Sequence, residues 1–407
     1  MKRSPRAGLL LFLAPLVVAS RPPLAAQVDD LSGPWRAAVD QAGGPLRFAL
    51  ELRSAGSGWS GTLCNGPACD DLSAITPMGD SVRFEMADYD ATITAVGRGD
   101  SLIGYYRNVG NRGPRVMPFR AARGRWPVAP AGPALQGSWD AVFDQGGRRS
   151  PRVFLIRNGP AGMEAAYHTN SGGYGLFWGS ATPSDSFDLG RFDGAFVYRL
   201  TGRLDGDTLR GVFHAGLRTQ TPWVAVRSTG RPHLTPPFEV TSADTSRPFE
   251  FAFPDLQGRT VTHRDSRFAG KVVLVDIFGS WCPTCHFAAP ALRALYRDYR
   301  DRGFAIVGLA YEVSGDTAID NRQVRRFRDK YGITWPLLLA GINETAATAA
   351  TLPQLQGFTA YPTSVFLGRD GRVRAVHAGF LGPEAGPLYD AQIRELRGVL
   401  EELLAEP

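Results

Sequence analysis

The first half of the chain contains the same segment twice. Residues Leu31 to Gly44, LSGPWRAAVDQAGG, resemble residues Leu135 to Arg148, LQGSWDAVFDQGGR. The similarity returns at the same offset further on, where Met117 to Arg123 (MPFRAAR) aligns with Thr221 to Arg227 (TPWVAVR). A repeat that keeps its offset from one end to the other indicates a duplicated domain. The two copies are predicted at residues 29–124 and 135–228.

Each repeat is predicted to be a small antiparallel β structure. Apolar and polar residues alternate in short runs bounded by Gly, Asp, Asn or Pro, as in RFALELR, VRFEMAD and ATITAV. A period of two residues is typical of strands with one buried face. About eight such strands per repeat would close into a small barrel, and an open sandwich is the alternative. The chain's 47 glycines and 30 prolines fit many short strands joined by turns.

A tryptophan near the start and an arginine at the end of each repeat resemble the residues that close one end of lipocalin-type barrels. They are Trp35 and Arg123 in the first repeat and Trp139 and Arg227 in the second. We interpret both tryptophans as core residues. Binding of a small apolar ligand inside such a barrel is a second hypothesis for the repeats.

Two cysteines of the first repeat flank a tight turn. Cys64 and Cys69 stand in TLCNGPACDD, where Asn-Gly-Pro favours a reversal of the chain. Two strand ends across such a turn can meet disulfide geometry, so we predict a structural Cys64–Cys69 disulfide. A second redox pair that serves the C-terminal domain is the alternative. A metal site is disfavoured because no histidine stands nearby.

The N-terminus has the layout of a secretory signal peptide. Residues 1–26 combine a basic start, the apolar run AGLLLFLAPLVVA and small residues before Gln27. This run is shorter than the roughly 18 to 20 residues that span a bilayer, so a cleaved signal is favoured over a permanent anchor. We therefore expect a periplasmic or other extracytoplasmic protein that is soluble after cleavage, in a compartment where disulfides persist.

The charge of the chain does not indicate a nucleic-acid site. The formal net charge is +6 at pH 7, and Lys2, Arg3, Arg6 and Arg21 of the signal segment supply most of it. The remainder shows no basic stripe interleaved with aromatic residues. Nucleic acid is therefore not an expected partner.

The sequence pattern changes after residue 228. Residues 229–248 contain several prolines and no periodic pattern, and they are predicted to be a linker. Beyond them the continuous apolar run VVLVDIF is typical of a strand buried on both faces, and APALRALYRDYRDRG is typical of a helix. Strands and helices then alternate, which predicts an α/β domain over residues 249–407.

A Cys-x-x-Cys motif joins the apolar strand to the helix that follows it. In WCPTC, Cys282 is predicted to begin the helix, where unpaired N–H groups and the helix dipole stabilise a thiolate. Cys285 lies one turn later, so one thiolate can attack a substrate disulfide and the other can resolve the mixed disulfide. Zinc is disfavoured because no second cysteine or histidine pair accompanies the motif in this domain. The predicted chemistry is thiol–disulfide exchange, without a metal or another cofactor.

With these motifs, the C-terminal domain resembles the TlpA-like thiol-disulfide oxidoreductases of the thioredoxin superfamily, a redoxin and AhpC/TSA-like domain. The resemblance is carried by FAGKVVLVDIFGSWCPTC, Pro290 in the following helix, YPTSVFLGRDGRV and GFLGP. It implies a thioredoxin fold, Cys282 as nucleophile, Cys285 as resolving thiol and Pro362 as a cis-proline facing the pair. It also implies substrate contacts for the residues beside these three, namely Trp281, Pro283, Thr284 and Tyr361.

Two positions near the motif depart from the family pattern. Many TlpA-like proteins carry a glutamate three residues after the second cysteine, where this chain has Ala288. Asp276, on the apolar strand, instead stands at the place of the buried aspartate of thioredoxin. Because burial raises the pKa of a carboxyl group, we predict that Asp276 is the general base for Cys285; a purely structural carboxyl is the alternative. His286 is a candidate for tuning the thiolate when it is protonated.

These features predict an exported thiol-disulfide oxidoreductase of the protein-disulfide reductase type. Its expected partners are protein thiols and disulfides and a membrane electron-transfer protein. The Pro-Thr pair between the cysteines does not fix the redox direction. One alternative is a ligand-binding or protein-interaction function of the repeats. Another is a peroxiredoxin-like peroxidase. This alternative is disfavoured because peroxiredoxins carry Pro and Thr or Ser at the positions where this chain has Val275 and Gly279.

Overall fold

The structure is a computed structural model that describes residues 30–56, 58–110, 113–182 and 185–407. The signal peptide predicted at residues 1–26 lies outside the described residues. Two β structures and an α/β domain follow one another along the chain. Within the described ranges, no helix is both long and apolar enough to cross a membrane.

The first repeat is a curled sheet of nine antiparallel strands. The strands are β1 (Gly33–Gln41), β2 (Gly44–Ala55), β3 (Gly58–Asn65), β4 (Ala68–Asp71), β5 (Ala74–Met78), β6 (Ser81–Met86), β7 (Ala91–Arg98), β8 (Ser101–Gly110) and β9 (Gly113–Arg123). A 3₁₀ turn at Ala87–Tyr89 follows β6. The first and last strands pair, and Trp35 lies opposite Arg123.

The expected closure into a barrel is wrong for this first repeat, because the sheet is open between β4 and β5. Leu72 N donates to Gly61 O of β3, whereas the next residue, Ser73, donates its N–H to Glu85 O of β6. The chain therefore crosses from one edge of the sheet to the other within two residues, and no continuous ladder joins the two edges.

The second repeat is a closed barrel of eight strands, as predicted. The strands are β10 (Gly137–Gln145), β11 (Arg148–Gly159), β12 (Gly162–Thr169), β13 (Gly172–Ala181), β14 (Ser186–Phe192), β15 (Val197–Asp205), β16 (Thr208–Ala215) and β17 (Thr219–Arg227). Trp139 lies opposite Arg227, which repeats the pairing of the first copy. Aromatic side chains fill the interior; they include Phe143, Phe154, Tyr167, Phe177, Phe187 and Trp223.

The paired tryptophan and arginine close the core of each repeat in the same way. Trp139 is 1 % exposed, its Nε1 donates to Leu135 O at 2.9 Å, and the Arg227 guanidinium lies 4.1 Å from the ring centroid. Trp35 and Arg123 form the equivalent stack. Both tryptophans are core residues. Binding of an apolar ligand inside the repeats stays a prediction. In the second repeat such a ligand would have to share the interior with the aromatic side chains of the core.

The α/β domain has a five-stranded sheet in the order β23-β22-β21-β25-β26. Its strands are β18 (Ser242–Ala243), β19 (Ala252–Pro254), β20 (Thr260–Thr262), β21 (Val272–Phe278), β22 (Phe304–Glu312), β23 (Leu337–Ile342), β24 (Leu355–Gln356), β25 (Thr363–Leu367) and β26 (Val373–Ala378). Its helices are α1 (Pro283–Tyr299), α2 (Thr317–Tyr331), α3 (Thr345–Thr351) and α4 (Pro387–Ala405). β21, β22 and β23 pair in parallel, and β25 pairs antiparallel with both β21 and β26. This is the predicted thioredoxin fold.

Part of the segment predicted as a linker packs onto the α/β domain. A 3₁₀ turn at Pro237–Glu239 brings Phe238 edge-on to His377, with ring centroids 4.9 Å apart. Three residues after this turn, β18 begins and pairs with β24. The end of this segment is therefore an ordered part of the domain surface.

Candidate redox site

The Cys-x-x-Cys motif lies where β21 ends and α1 begins. Cys282 is the N-cap residue of α1, and Pro283 occupies its first turn, where a missing N–H leaves no hydrogen bond unmade. Cys282 O accepts hydrogen bonds from Cys285 N at 2.9 Å and from His286 N at 3.2 Å. Both cysteines are free and buried. The structure therefore places two free thiols at a helix N-terminus.

The loop before β25 meets Cys282 from the opposite side. The Cys282 thiol donates to Tyr361 O at 3.6 Å, and the Tyr361–Pro362 peptide bond is cis. The Trp281 ring meets the Tyr361 ring edge-on, and Trp281 Nε1 donates to Tyr311 O at 2.7 Å. The structure thus brings together the predicted nucleophile, the proline and two of the predicted substrate-contacting residues.

The second cysteine of the motif, Cys285, and the nearby Asp276 are both buried. Burial is the largest cause that raises the pKa of the Cys285 thiol, followed by its contact with Cys282, and the charge of Asp276 raises this pKa further. Burial alone raises the pKa of Asp276 to about 7. Among the described residues, Asp276 Oδ1 has no hydrogen-bond partner. A carboxyl group that titrates near neutral pH can accept a proton from a neighbouring thiol.

A second buried carboxyl group, which the sequence analysis missed, holds the loop that precedes Cys282. Glu312 is the last residue of β22, and its carboxylate accepts from Ser280 N at 2.8 Å and from Ser280 Oγ at 2.6 Å. Burial raises the pKa of Glu312 to about 7, although the hydrogen bonds from Ser280 oppose this shift. The sequence signal was a single acidic residue at the end of the otherwise apolar strand FAIVGLAYE.

His286 is part of the framework of the site. One ring nitrogen shares a hydrogen bond with Tyr331 Oη at 2.7 Å, and the other lies 2.8 Å from Ser280 O. Burial is the largest cause that lowers the pKa of His286 to about 4, and the charge of Lys330 lowers it further. The imidazole is therefore neutral near pH 7, and the structure does not support a protonated His286 that tunes the thiolate.

Both β repeats cover the helix side of the motif. Pro283 and Thr284 are buried, and Thr284 Oγ1 donates to Gly173 O of β13 at 3.1 Å. From the first repeat, the Tyr89 ring meets the His286 ring edge-on, with centroids 5.1 Å apart. The motif thus lies at a junction of three bodies, which no pattern in the sequence indicated.

The remaining predicted site residues belong to the first repeat. Cys64 and Cys69 face each other across β3 and β4 and form a disulfide. Cys64 is buried and Cys69 is exposed. The structure does not bring this disulfide into the dithiol motif. No group of three or more His, Cys, Asp or Glu residues in the described part of the chain is arranged to hold a metal ion.

Comparison with known proteins assigns the C-terminal domain to a family. The family described as Redoxin matches residues 241–393. This part of the chain is a Redoxin domain. The predicted resemblance to thioredoxin-superfamily oxidoreductases is therefore confirmed for the Redoxin domain, which begins within the segment predicted as a linker.

The relatives of this protein carry names from thiol–disulfide chemistry. The thiol-disulfide oxidoreductase ResA of Halalkalibacterium halodurans is 28% identical over 130 residues, which are 32% of this chain and 65% of that protein. The thioredoxin-like protein YneN of Bacillus subtilis is 28% identical over 132 residues, which are 32% of this chain and 68% of that protein. The chain thus spans about two thirds of the length of these curated relatives.

Among solved structures, one similar chain is a thiol:disulfide interchange protein of the thioredoxin family from Chlorobium tepidum. It is 21% identical, and the match covers 40% of this chain and 99% of that chain with a TM-score of 0.31.

Proposed function

We propose that this protein is an exported thiol-disulfide oxidoreductase that reduces protein disulfides through Cys282 and Cys285. The observation that carries the proposal is the free dithiol at the N-terminus of α1, with Cys282 beside the cis-Pro362 loop. The helix dipole favours negative charge at Cys282. Burial keeps Cys285 protonated, because it raises the pKa of that thiol. Cys282 is therefore suited to act as the nucleophile, and Cys285 to act as the resolving thiol.

The first step joins the protein to its substrate. The Cys282 thiolate attacks one sulfur of the substrate disulfide, the substrate S–S bond breaks, and a mixed disulfide forms. The leaving substrate thiolate takes a proton from solvent. We assign substrate contact in this step to Trp281 and Tyr361, which are only partly buried beside Cys282.

The second step releases the substrate in its reduced form. Cys285 transfers its proton to the Asp276 carboxylate and attacks the Cys282 sulfur. The mixed disulfide breaks, and the second substrate sulfur leaves as a thiolate that takes a proton. Two electrons have then passed to the substrate, and Cys282 and Cys285 are joined by a disulfide.

Export and re-reduction are part of the same proposal. The signal-like layout of residues 1–26 supports export, as does the Cys64–Cys69 disulfide, because disulfides persist in oxidising compartments. A reductase in such a compartment needs a source of electrons. We assign that role to a membrane electron-transfer protein, which would restore the Cys282–Cys285 dithiol.

The test is disulfide reduction by the mature chain, with insulin as the protein substrate and dithiothreitol as the reductant. We expect Cys282→Ser to abolish turnover and Cys285→Ser to accumulate a mixed disulfide with insulin, seen by mass spectrometry. The double variant Cys64→Ala/Cys69→Ala is the matched control and should keep full turnover. Full activity of Cys282→Ser would show that the proposal is wrong.

The direction of electron flow is tested by the reduction potential of the Cys282–Cys285 pair, equilibrated against glutathione buffers. Reference values are about −270 mV for thioredoxin and about −120 mV for a strong periplasmic oxidant. We expect a value closer to that of thioredoxin. A value near that of the oxidant would contradict reduction and make the protein an oxidant or isomerase.

A further inference from the structure

A hairpin of the second repeat lies directly on the redox site. This segment, residues Thr169 to Gly173, joins β12 to β13, and we call it the covering hairpin. Gly173 O accepts from Thr284 Oγ1 at 3.1 Å, and Gly173 N donates to Phe380 O at 2.8 Å. Both backbone groups of one barrel residue are therefore bonded to the Redoxin domain, and one of the two bonds reaches the Cys-x-x-Cys motif itself.

Phe380, the second partner of the covering hairpin, stands next to the cis-proline loop. Ala378, at the end of β26, pairs with Thr363, which follows Pro362 directly. Gly379 N then donates to Pro362 O at 2.8 Å. The covering hairpin thus connects the two segments that flank Cys282, namely the start of α1 and the chain that leaves β26.

The contact is a close approach of backbones. A Cβ atom on Gly172 would lie 2.4 Å from Phe380 O, and a Cβ atom on Gly379 would lie 2.5 Å from the Ser171 carbonyl carbon. No side chain fits between the two segments at these distances. The tip of the covering hairpin therefore lies backbone to backbone against the Redoxin domain, and the N–H and C=O groups of Gly173 are its points of attachment.

The outer face of the barrel is buried around this contact. Glu164 and His168 point outward from β12, yet they are only 3 % and 2 % exposed. Arg157 lies 3.3 Å from Glu164 Oε2 and also donates to Glu384 O of the Redoxin domain at 2.9 Å. The interface therefore extends beyond the hairpin, and the barrel is seated on the domain.

The covering hairpin limits access to the nucleophile. Cys282 and Thr284 are each 5 % exposed, although Cys282 must meet a substrate sulfur. Trp281 and Tyr361, on the other side of Cys282, are only partly buried. A small molecule can approach past these two rings. On the side of Thr284, the covering hairpin occupies the surface next to Cys282.

We propose that the covering hairpin shields the Thr284 side of the redox site, and that protein disulfides reach Cys282 only after the second repeat moves away. Small disulfides and thiol reagents reach Cys282 with the cover in place. This inference rests on the proposed function of the dithiol, and it names the regulation of that same site.

The test is a substitution that places a larger side chain between the covering hairpin and the Redoxin domain. Gly173 has no positive φ, so a leucine fits the strand backbone. Its Cβ would lie 3.2 Å from Glu384 Oε1 and 3.3 Å from Gly382 N, so the longer side chain cannot fit while the hairpin is seated. Gly173→Leu is therefore expected to lift the cover. The matched control is Gly398→Leu on α4, where an added Cβ meets no atom within 4 Å.

The readout is alkylation of Cys282 in the reduced chain, resolved by mass spectrometry, with iodoacetamide and with a polyethylene-glycol maleimide of protein size. In the unchanged protein, the large reagent should react far more slowly than with the denatured chain. Gly173→Leu should raise the rate of alkylation by the large reagent on the order of tenfold, because the fraction of molecules with the hairpin displaced rises by that factor. The rate of alkylation by iodoacetamide should stay within about threefold of that of the unchanged protein. Gly398→Leu should change neither rate.

A second variant tests the same proposal if Gly173→Leu does not fold. Thr284→Val keeps the shape of the side chain and removes only the hydrogen bond to Gly173 O, so a smaller acceleration of the large reagent is expected. If the large reagent reacted at an unchanged rate, or if both reagents were accelerated equally, the proposal that the hairpin restricts access to Cys282 would be wrong. Alkylation needs only an accessible thiol, so this result is independent of the insulin assay that tests the proposed function.

Discussion

At the residue scale, the buried Asp276 links the redox site to the stability of the fold. Burial raises its pKa from 3.8 to about 7 in the folded protein. Between these two values the folded protein holds a proton that the unfolded chain has released. The free energy of unfolding therefore falls as the pH rises through this window, by roughly 4 kcal/mol in all, and the loss is complete above the folded pKa.

Asp276→Asn is therefore expected to stabilise the reduced protein by a few kcal/mol at pH 8 and to change its stability little at pH 4. The physical reason is that asparagine cannot ionise, so the buried charge never forms. Urea unfolding at the two pH values measures the difference. An equal effect at both would show that the carboxyl group does not titrate in this window.

The same substitution should slow the chemistry. Without a base beside Cys285, the resolving step loses on the order of 10² in rate, whereas alkylation of Cys282 stays unchanged. Stopped-flow decay of the mixed disulfide measures this step. Glu312→Gln is the matched control, because burial raises the pKa of Glu312 to about 7 as well, yet its carboxylate contacts Ser280. Equal slowing by both variants would contradict the general-base role of Asp276.

The two carboxyl groups also show how far residue-level prediction reaches. Asp276 interrupts an apolar strand six residues before the motif, so its predicted role depends only on one continuous segment of sequence. Glu312 is likewise a single acidic residue in an apolar strand, at the end of β22. Its role depends on Ser280, which lies on the loop after another strand, and only the parallel pairing of β21 with β22 brings the two together.

At the scale of elements, the Cys64–Cys69 disulfide closes a short hairpin between β3 and β4. In the chain-entropy description, so short a loop contributes about 2 kcal/mol. Cys64→Ala/Cys69→Ala should therefore lower the free energy of unfolding of the first repeat by about this amount and leave insulin reduction unchanged. Chemical denaturation and the turnover assay measure the two parts. A loss of turnover without a loss of stability would support a redox role for this pair instead.

The sequence repeat predicted two units of the same architecture, and this holds except at one strand. In the second repeat β13 is one strand of the closed barrel, whereas the first repeat is divided into β4 and β5 at Leu72 and Ser73. Alternation of apolar and polar residues shows which face of a strand is buried. It does not show which neighbour a strand pairs with, so the open edge could not be predicted.

At the scale of the whole molecule, turns of both repeats contact the Redoxin domain near the redox site. The Ala87–Tyr89 turn of the first repeat contacts α2 through an Asp88–Lys330 ion pair of 2.5 Å. The covering hairpin bonds to the Redoxin domain through the backbone of Gly173. Such contacts carry no periodic pattern and no motif. The sequence therefore predicted separate domains on a linker, and the shared surface around Cys282 could not be foreseen.

The side chain of Phe192 joins the cores of the two repeats. Phe192 ends β14 of the second repeat but packs in the core of the first, 0 % exposed, with its ring 4.4 Å from that of Phe48 and 5.0 Å from that of Tyr106. Asn65 exchanges two hydrogen bonds with the backbone of Phe192. Neither repeat can unfold without exposing this ring, so we expect the two to unfold in one cooperative transition.

Phe192→Ala is expected to cost about 3–5 kcal/mol, as for other buried aromatic residues, and to split this transition, because the lost contacts belong to the interface between the repeats. Differential scanning calorimetry should then show two peaks for the repeats where the unchanged protein shows one. Phe187→Ala removes an equally large ring from within the barrel core and is the matched control: it should lower the shared transition without dividing it. If both variants lowered a single transition equally, the repeats would be coupled by contacts other than Phe192.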